Sequence, residues 1–341
     1  MALTNEKKIE AAYLTKQYEL APNRVEKLQA TLLNRDFPVF WALRGVSFTA
    51  YAGETIAVVG TNGSGKSTLM KIVAGIIPNT SGTIKIQGDT SLIAINAGLR
   101  GSMTGRENIK LKGLMLGLTE QEIDDRMDDI IDFSELGDFI EQQVKHYSSG
   151  MKSKLGFAIS VYTDPDIIIV DEALSVGDAT FNRKALAKIK DFQADGKTIF
   201  FVSHDLSQVR EMADKVLWMH FGEVRMFGPT REVMDQYDSF VAEYKALDSV
   251  GQTQYRDEKR EAQMRFSIEQ LAERAMAEGN TPAAKQAIKK QVLAQPFNDR
   301  LKLGDKIGLT VVITIAIVLA ITLIGRASGL MGMIVAGGMN L

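Results

Sequence analysis

The sequence predicts an α/β domain built on a mainly parallel sheet, followed by charged helices and one helix long enough to cross a membrane. Three observations predict it. Short apolar runs at Thr55–Val59, 167–170 and Thr198–Val202 alternate with stretches of helical periodicity, the pattern of parallel strands covered by helices. The stretch 246–305 is rich in Glu, Lys, Gln and Ala, which favour helix. The run 307–325 carries no charge. The expected divisions are therefore 1–245 for the α/β domain, 246–305 for a charged helical linker, 306–325 for the span and 326–341 for a short extracytoplasmic tail.

Composition narrows the function. A chain of 341 residues with 45% apolar content can bury a normal core and holds about two domains. Lys and Arg number 40 against 42 Asp and Glu, so there is no strong electrostatic case for nucleic acid. The absence of cysteine excludes disulfides, iron–sulfur clusters and cysteine zinc sites. The polar N-terminus has no apolar stretch of the kind found in secretory signals.

In chain order, the first irregular element is an insertion over 21–35, between Tyr18 and the β-rich run 39–48. Pro22 opens it, and Val25, Leu28 and Leu32 recur at helical spacing, so a short amphipathic helix is expected, which periodicity favours as packed on its own domain over one near a partner or substrate entrance. Next comes Gly60-Thr61-Asn62-Gly63-Ser64-Gly65-Lys66-Ser67-Thr68, which fits G-x-x-x-x-G-K-[ST]. It follows one strand and precedes the helical run 69–74. Glycines there let successive N–H groups converge on phosphate oxygens, and the helix N-terminus adds its positive dipole end. Lys66 supplies a cation to the β- and γ-phosphates, and Ser67 a hydroxyl to Mg²⁺.

The run 167–170 ends in Asp171 and Glu172. Asp171 is placed to hold the Mg²⁺ shell, and Glu172 to polarise an attacking water. A further apolar strand ends at Ser203-His204-Asp205, and strand tips in such sheets converge on the ligand crevice, so His204 joins the site. His146 and His220 lack that context and are expected to be structural. Within 246–305, Gly279-Asn280-Thr281-Pro282 interrupts the helical pattern, predicting two helices around a turn. The 19 uncharged residues of 307–325 would span roughly 28 Å as a helix, close to the roughly 30 Å of a bilayer core. Arg300, Lys302 and Lys306 precede the span while Arg326 follows it, which orients its N-terminal end to the cytoplasm. Gly325 and Gly329 have the spacing that permits close helix packing.

These ordered motifs, across about residues 9–230, resemble the ATPases of ABC transporters. The resemblance implies a P-loop NTPase core with an antiparallel β subdomain and a helical subdomain, ATP and Mg²⁺ as cofactors, and a head-to-tail dimer closed around two ATP molecules. The family's LSGGQ signature corresponds to Tyr147-Ser148-Ser149-Gly150-Met151; Ser148, Ser149 and Gly150 would approach the γ-phosphate held by a second copy. Asp178 matches the aspartate of the family's D-loop within 175–178. Tyr18 resembles the aromatic residue that stacks on adenine, with Trp41 as its rival. The family's Mg²⁺-site glutamine has no counterpart in 91–98, where Asn96 is the nearest amide. The signature, the run 171–184 and TGREN at 104–108 resemble the polysaccharide-exporter branch. The charged helices, the hydrophobic span and the insertion are similar to the ATP-binding subunit of wall teichoic acid exporters. That implies export of a lipid-diphosphate-linked polymer through two copies of a separate multi-helix permease, with the ATPase domain on the cytoplasmic face of the membrane. One apolar helix cannot itself form a polar pathway. An O-antigen or capsular polysaccharide exporter is the alternative, and a soluble ABC ATPase a further one.

Overall fold

The computed structural model describes residues 6–20, 38–94, 98–171 and 178–296. The predicted helix within 21–35, Asn96, Glu172, residues 175–177, the span and the tail lie outside them. No helix among the described residues is long and apolar enough to cross a membrane.

Among the described residues, nine strands form two sheets. The smaller is antiparallel, in the order β2 (Val39–Tyr51), β1 (Lys7–Glu19), β4 (Ser81–Ile86). The larger runs β5 (Thr90–Ala94), β6 (Ile167–Asp171), β7 (Thr198–Val202), β3 (Thr55–Val59), β8 (Lys215–His220), β9 (Glu223–Pro229). Its pairs are parallel apart from β8–β9. Strands β3 and β7 are buried along their whole length, as continuous apolar runs in a parallel sheet covered on both faces must be.

Alternation along each strand feeds two cores. Ala57, Val59, Ile168, Val170 and Phe201 face one side, where the helices α3 (Glu120–Ser134), α4 (Ser149–Val161), α5 (Ala179–Ala194) and α7 (Thr230–Ala246) pack. Ile56, Val58, Ile167, Ile169 and Phe200 face the other, against α1 (Lys66–Val73) and the small sheet's Leu14, Leu43 and Val46. Burying each of these large side chains contributes about 2 kcal/mol. Helices α2 (Gly105–Met115) and α3 begin with full capping boxes at Thr104 with Glu107 and Thr119 with Glu122, which fixes the start of each. The short helix α6 (Leu206–Met212) follows β7.

The insertion after Tyr18 leaves the ladder intact. Tyr18 pairs with Phe40 and Glu19 with Val39, and the Leu20 N–H donates to the Pro38 carbonyl at 2.9 Å.

Beyond α7 the described residues form three helices where the sequence suggested two: α8 (Ser249–Met264), α9 (Ile268–Ala277) and α10 (Pro282–Val292). The anticipated turn separates α9 from α10, where Thr281 caps and Pro282 occupies the first turn. The additional break, at 265–267, arises because Ser267 accepts from Gln270 N–H to start a new helix and Phe266 packs edge-on against Trp41 at 5.0 Å. Helices α9 and α10 share a small core of Ala272, Ala275 and Val292 with Tyr13 and Leu271.

Candidate active site

Between β3 and α1 the chain makes a tight loop whose glycines are required by geometry. Gly60 sits at φ 145°, and a Cβ there would lie 2.2 Å from the Met219 carbonyl oxygen. Gly65 sits at φ 104°, and its Cβ would meet the Ala42 carbonyl oxygen at 2.5 Å. Gly63, in contrast, has open space over it. The loop is held from behind by the β8–β9 turn, where the Gly222 N–H donates to the Ser64 carbonyl at 2.9 Å. Gly65 caps α1 and offers no side chain to the first turn, so the helix start presents backbone N–H donors suited to an anion. Lys66 is buried and folds back, with Nζ donating to the Gly60 carbonyl at 2.8 Å and the Thr61 carbonyl at 3.2 Å. Its charge is thus held inside the loop curve.

Strand register gathers the remaining groups. Asp171 pairs with Val202, and Val202 with Val58, so Asp171, His204 and Gly60 leave one edge of the sheet from neighbouring strands. His204 is exposed there, two residues past β7. Asp205 caps α6, and its hydrogen bond from Ser207 holds its carboxyl below the usual range.

A cavity of about 300 Å³ opens over the loop, lined by Tyr18, Phe40, Ala42, Asn62, Gly63, Gly65, Lys66, Ser67 and Thr68. Tyr18 therefore stands beside the phosphate cradle. Trp41 does not: it is 5% exposed and turned onto Phe266, so it offers no face to a base. Phe40 takes that place instead. It could have been read from the sequence, since alternation puts residues 40 and 42 on the face opposite 41.

The signature stretch is absent from the cavity lining. Ser148 is exposed at the start of α4, its Oγ accepting from the Met151 N–H at 3.2 Å, and its O–H remains a donor. Ser149 opens the helix. A Cβ on Gly150 would meet nothing closer than Ser148 Oγ at 3.8 Å, so no contact within the protomer demands glycine there. Tyr147 is buried and donates to the Phe139 carbonyl at 2.5 Å, anchoring this stretch to the helical layer. The sequence marked Tyr147 only as a departure from the motif.

Asp178 caps α5 by accepting from the Thr180 and Phe181 N–H groups, and pairs with Lys154 of α4 at 2.8 Å. Lys154 and these backbone donors pull its carboxyl down to about 2. Lys154 also reaches Glu135 at 3.0 Å, tying α3, α4 and α5 together. His220 lies among Trp218, Phe221, Phe240 and Tyr255, with Nε2 2.8 Å from the Tyr255 hydroxyl, and burial lowers it to about 4. Its ring is packed into this aromatic cluster, and it lines a cavity together with Thr61, Asn62 and Gly63.

The arrangement suits Mg²⁺ if bound as a phosphate complex. Ser67 and Asp171 offer a hydroxyl and a carboxylate, hard oxygen donors, and no cluster of three or more His, Asp or Glu among the described residues forms a metal cage of its own.

A glycine loop suited to phosphate, an acid at the tip of a strand two away and an aromatic wall beside the loop fit the core of an ATP-binding cassette, and the known proteins agree. The ABC transporter family model matches residues 43–175. The teichoic acids export ATP-binding protein TagH of Enterococcus faecalis is 47% identical over 309 residues, 90% of this chain and 69% of that protein. The protein of the same name from Levilactobacillus brevis is 44% identical over 318 residues, 91% of this chain and 88% of its own length. The chain belongs to the TagH family of ABC transporter ATP-binding proteins. At the level of fold, a dimeric ATP-binding cassette in a post-hydrolysis state superposes with a TM-score of 0.55 at 21% identity, over 65% of this chain and 99% of that one. With the Enterococcus faecalis protein the identity runs past the cassette: 309 matched residues exceed the 245 expected of the α/β domain.

Proposed function

We propose that this chain is the ATP-hydrolysing subunit of an exporter that moves lipid-diphosphate-linked wall teichoic acid across the cytoplasmic membrane. The observation that carries the reading is the length of the match to the TagH relatives, which takes in the C-terminal helices as well as the nucleotide site. A match confined to the cassette would fit any ABC transporter.

In this reading, the N–H groups at the start of α1 and the Lys66 ammonium bind the β- and γ-phosphates, and Tyr18 with Phe40 flanks the base. Ser67 and Asp171 hold Mg²⁺, which when bound neutralises phosphate charge. Glu172, next in the chain after Asp171, orients the attacking water, and His204 bonds to the γ-phosphate. Asn96 serves as the amide of the missing glutamine. Ser148, Ser149 and Gly150 are turned outward on α4, so they act on ATP held by a second copy; the free space over Gly150 supports this role. Asp178 keeps the neighbouring loop in register with α4 through Lys154. Two copies close on two ATP molecules, and two copies of a separate membrane subunit carry the polymer. The run 307–325 crosses the membrane beside them.

The test is to purify the full chain with its membrane subunit in lipid and follow ATP hydrolysis with and without the lipid-linked polymer. Stimulation by polymer, abolished by Lys66→Ala and by Glu172→Gln, is expected. Undiminished hydrolysis in either variant would sink the residue assignments, and stimulation only by an unrelated capsular glycan would sink the substrate.

A further inference from the structure

We propose that α8, which lies beyond the cassette, braces the base-binding wall of its own nucleotide site, with Gln263 as the positioning residue. The inference rests on the ATPase reading above and extends it to residues outside the 43–175 match.

Gln263 is a buried amide, 2% exposed, on a helix whose other residues are largely at the surface. Its Nε2 donates to the Trp41 carbonyl at 3.0 Å, a bond across 222 positions of chain. Trp41 is flanked by Phe40 and Ala42, and both of these line the cavity over the phosphate loop. The bond therefore fixes the backbone of the wall at its centre. The Ala42 carbonyl in turn abuts Gly65, so a shift in this strand reaches the first residue of the α1 cap.

Three further ties hold α8 in place. Arg44 donates through Nε to the Phe221 carbonyl at 3.0 Å and through Nη1 to the Ala262 carbonyl at 3.3 Å, joining β2, the β8–β9 turn and α8 through one guanidinium. Phe266 packs on the Trp41 ring, and Tyr255, in the first half of the helix, meets His220. A second cavity, of about 480 Å³, separates Tyr255, Arg256, Arg260 and Gln263 from Thr61, Asn62 and Gly63 of the loop. The helix thus stands over the loop without filling the space beside it, and acts on the nucleotide through the strand.

Removing the Gln263 donor leaves the Trp41 carbonyl unpaired in a buried place and frees Phe40 to drift from the base. The loss should fall on binding and spare the chemical step. The experiment uses the full chain with its membrane subunit and measures ATP KM, kcat and the Kd of a fluorescent ATP analogue. Gln263→Met is expected to raise KM and Kd by about fivefold or more, with kcat at saturating ATP within about twofold of wild type. Gln254→Met, the same change on the exposed face of α8, should leave all three unchanged. Gln263→Asn, which keeps the amide but shortens its reach, gives a milder rise and serves should the methionine variant fail to fold. Unchanged Kd in a folded Gln263 variant, or a fall in kcat alone, would overturn the brace. Wild type that binds no ATP, like Lys66→Ala, would instead overturn the ATPase reading beneath it.

Discussion

Lowering the pH should weaken this fold through His220 in a way that can be isolated and sized. The imidazole is half-buried among aromatic rings, and Arg225, Lys259 and Arg44 add to the burial in opposing a second positive charge. Its value falls from the ordinary 6.5 to about 4. The folded protein therefore resists the proton that the unfolded chain accepts. Stability is whole above pH 6.5, declines as pH falls from 6.5 towards 4, and levels off below that. At about 1.4 kcal/mol per unit the full shift would amount to about 3 kcal/mol, and solvent reaching the ring reduces that to about 2 kcal/mol. His220→Gln keeps a group able to bond the Tyr255 hydroxyl and cannot titrate. The assay is urea unfolding at a series of pH values, read by tryptophan fluorescence, since both tryptophans are buried and the Trp218 ring lies 6.4 Å from the His220 ring. All other groups titrate alike in the two proteins, so the difference between their pH slopes belongs to His220. Parallel slopes between pH 7 and 4 would refute the argument.

Three other outcomes are expected. Phe40→Ala or Tyr18→Ala should weaken ATP binding by about tenfold, the worth of about 1.4 kcal/mol of stacking, whereas Trp41→Phe should leave nucleotide affinity largely unchanged; isothermal titration decides between them. Gly60→Ala should abolish nucleotide binding, because its Cβ would meet the Met219 carbonyl at 2.2 Å in a loop that cannot retreat; an affinity within threefold of wild type would contradict the geometry. Lys154→Met removes the partner that Asp178 and Glu135 share; ATP-dependent dimerisation followed by light scattering should fall, and the loss should be absent for the surface change Lys110→Met.

Where chemistry and local pattern coincide, the sequence was readable. The phosphate loop follows a strand with no polar interruption and precedes a helix, so Gly60 through Thr68 could be placed without any partner. Asp171 and His204 were readable for a similar reason: each ends an apolar run, and a parallel sheet aligns such ends. What could not be read depends on contacts between distant positions. Alternation sets Phe40 opposite Trp41, but its pairing with Tyr18 comes through the β1–β2 ladder, across an insertion that hides it. Gln263 looked like one more polar residue in a charged helix, because periodicity says nothing about a carbonyl 222 positions away. The break at 265–267 has Ser267 as its local signal, yet Phe266 stops there because Trp41 offers it a surface. Tyr147 read as damage to a motif, and its hydrogen bond to Phe139 shows that the departure from leucine brings an anchor with it.

The clasp between Leu20 and Pro38 has an evolutionary consequence. Because the two strands are already joined at their ends, whatever chain runs from 21 to 37 begins and finishes at the same spot. Lengthening such a detour is thermodynamically inexpensive, since doubling it adds only about 0.6 kcal/mol of closure entropy. Related proteins are thus free to exchange this segment for longer, shorter or differently charged versions, and the aromatic wall a step away would keep its place over the loop.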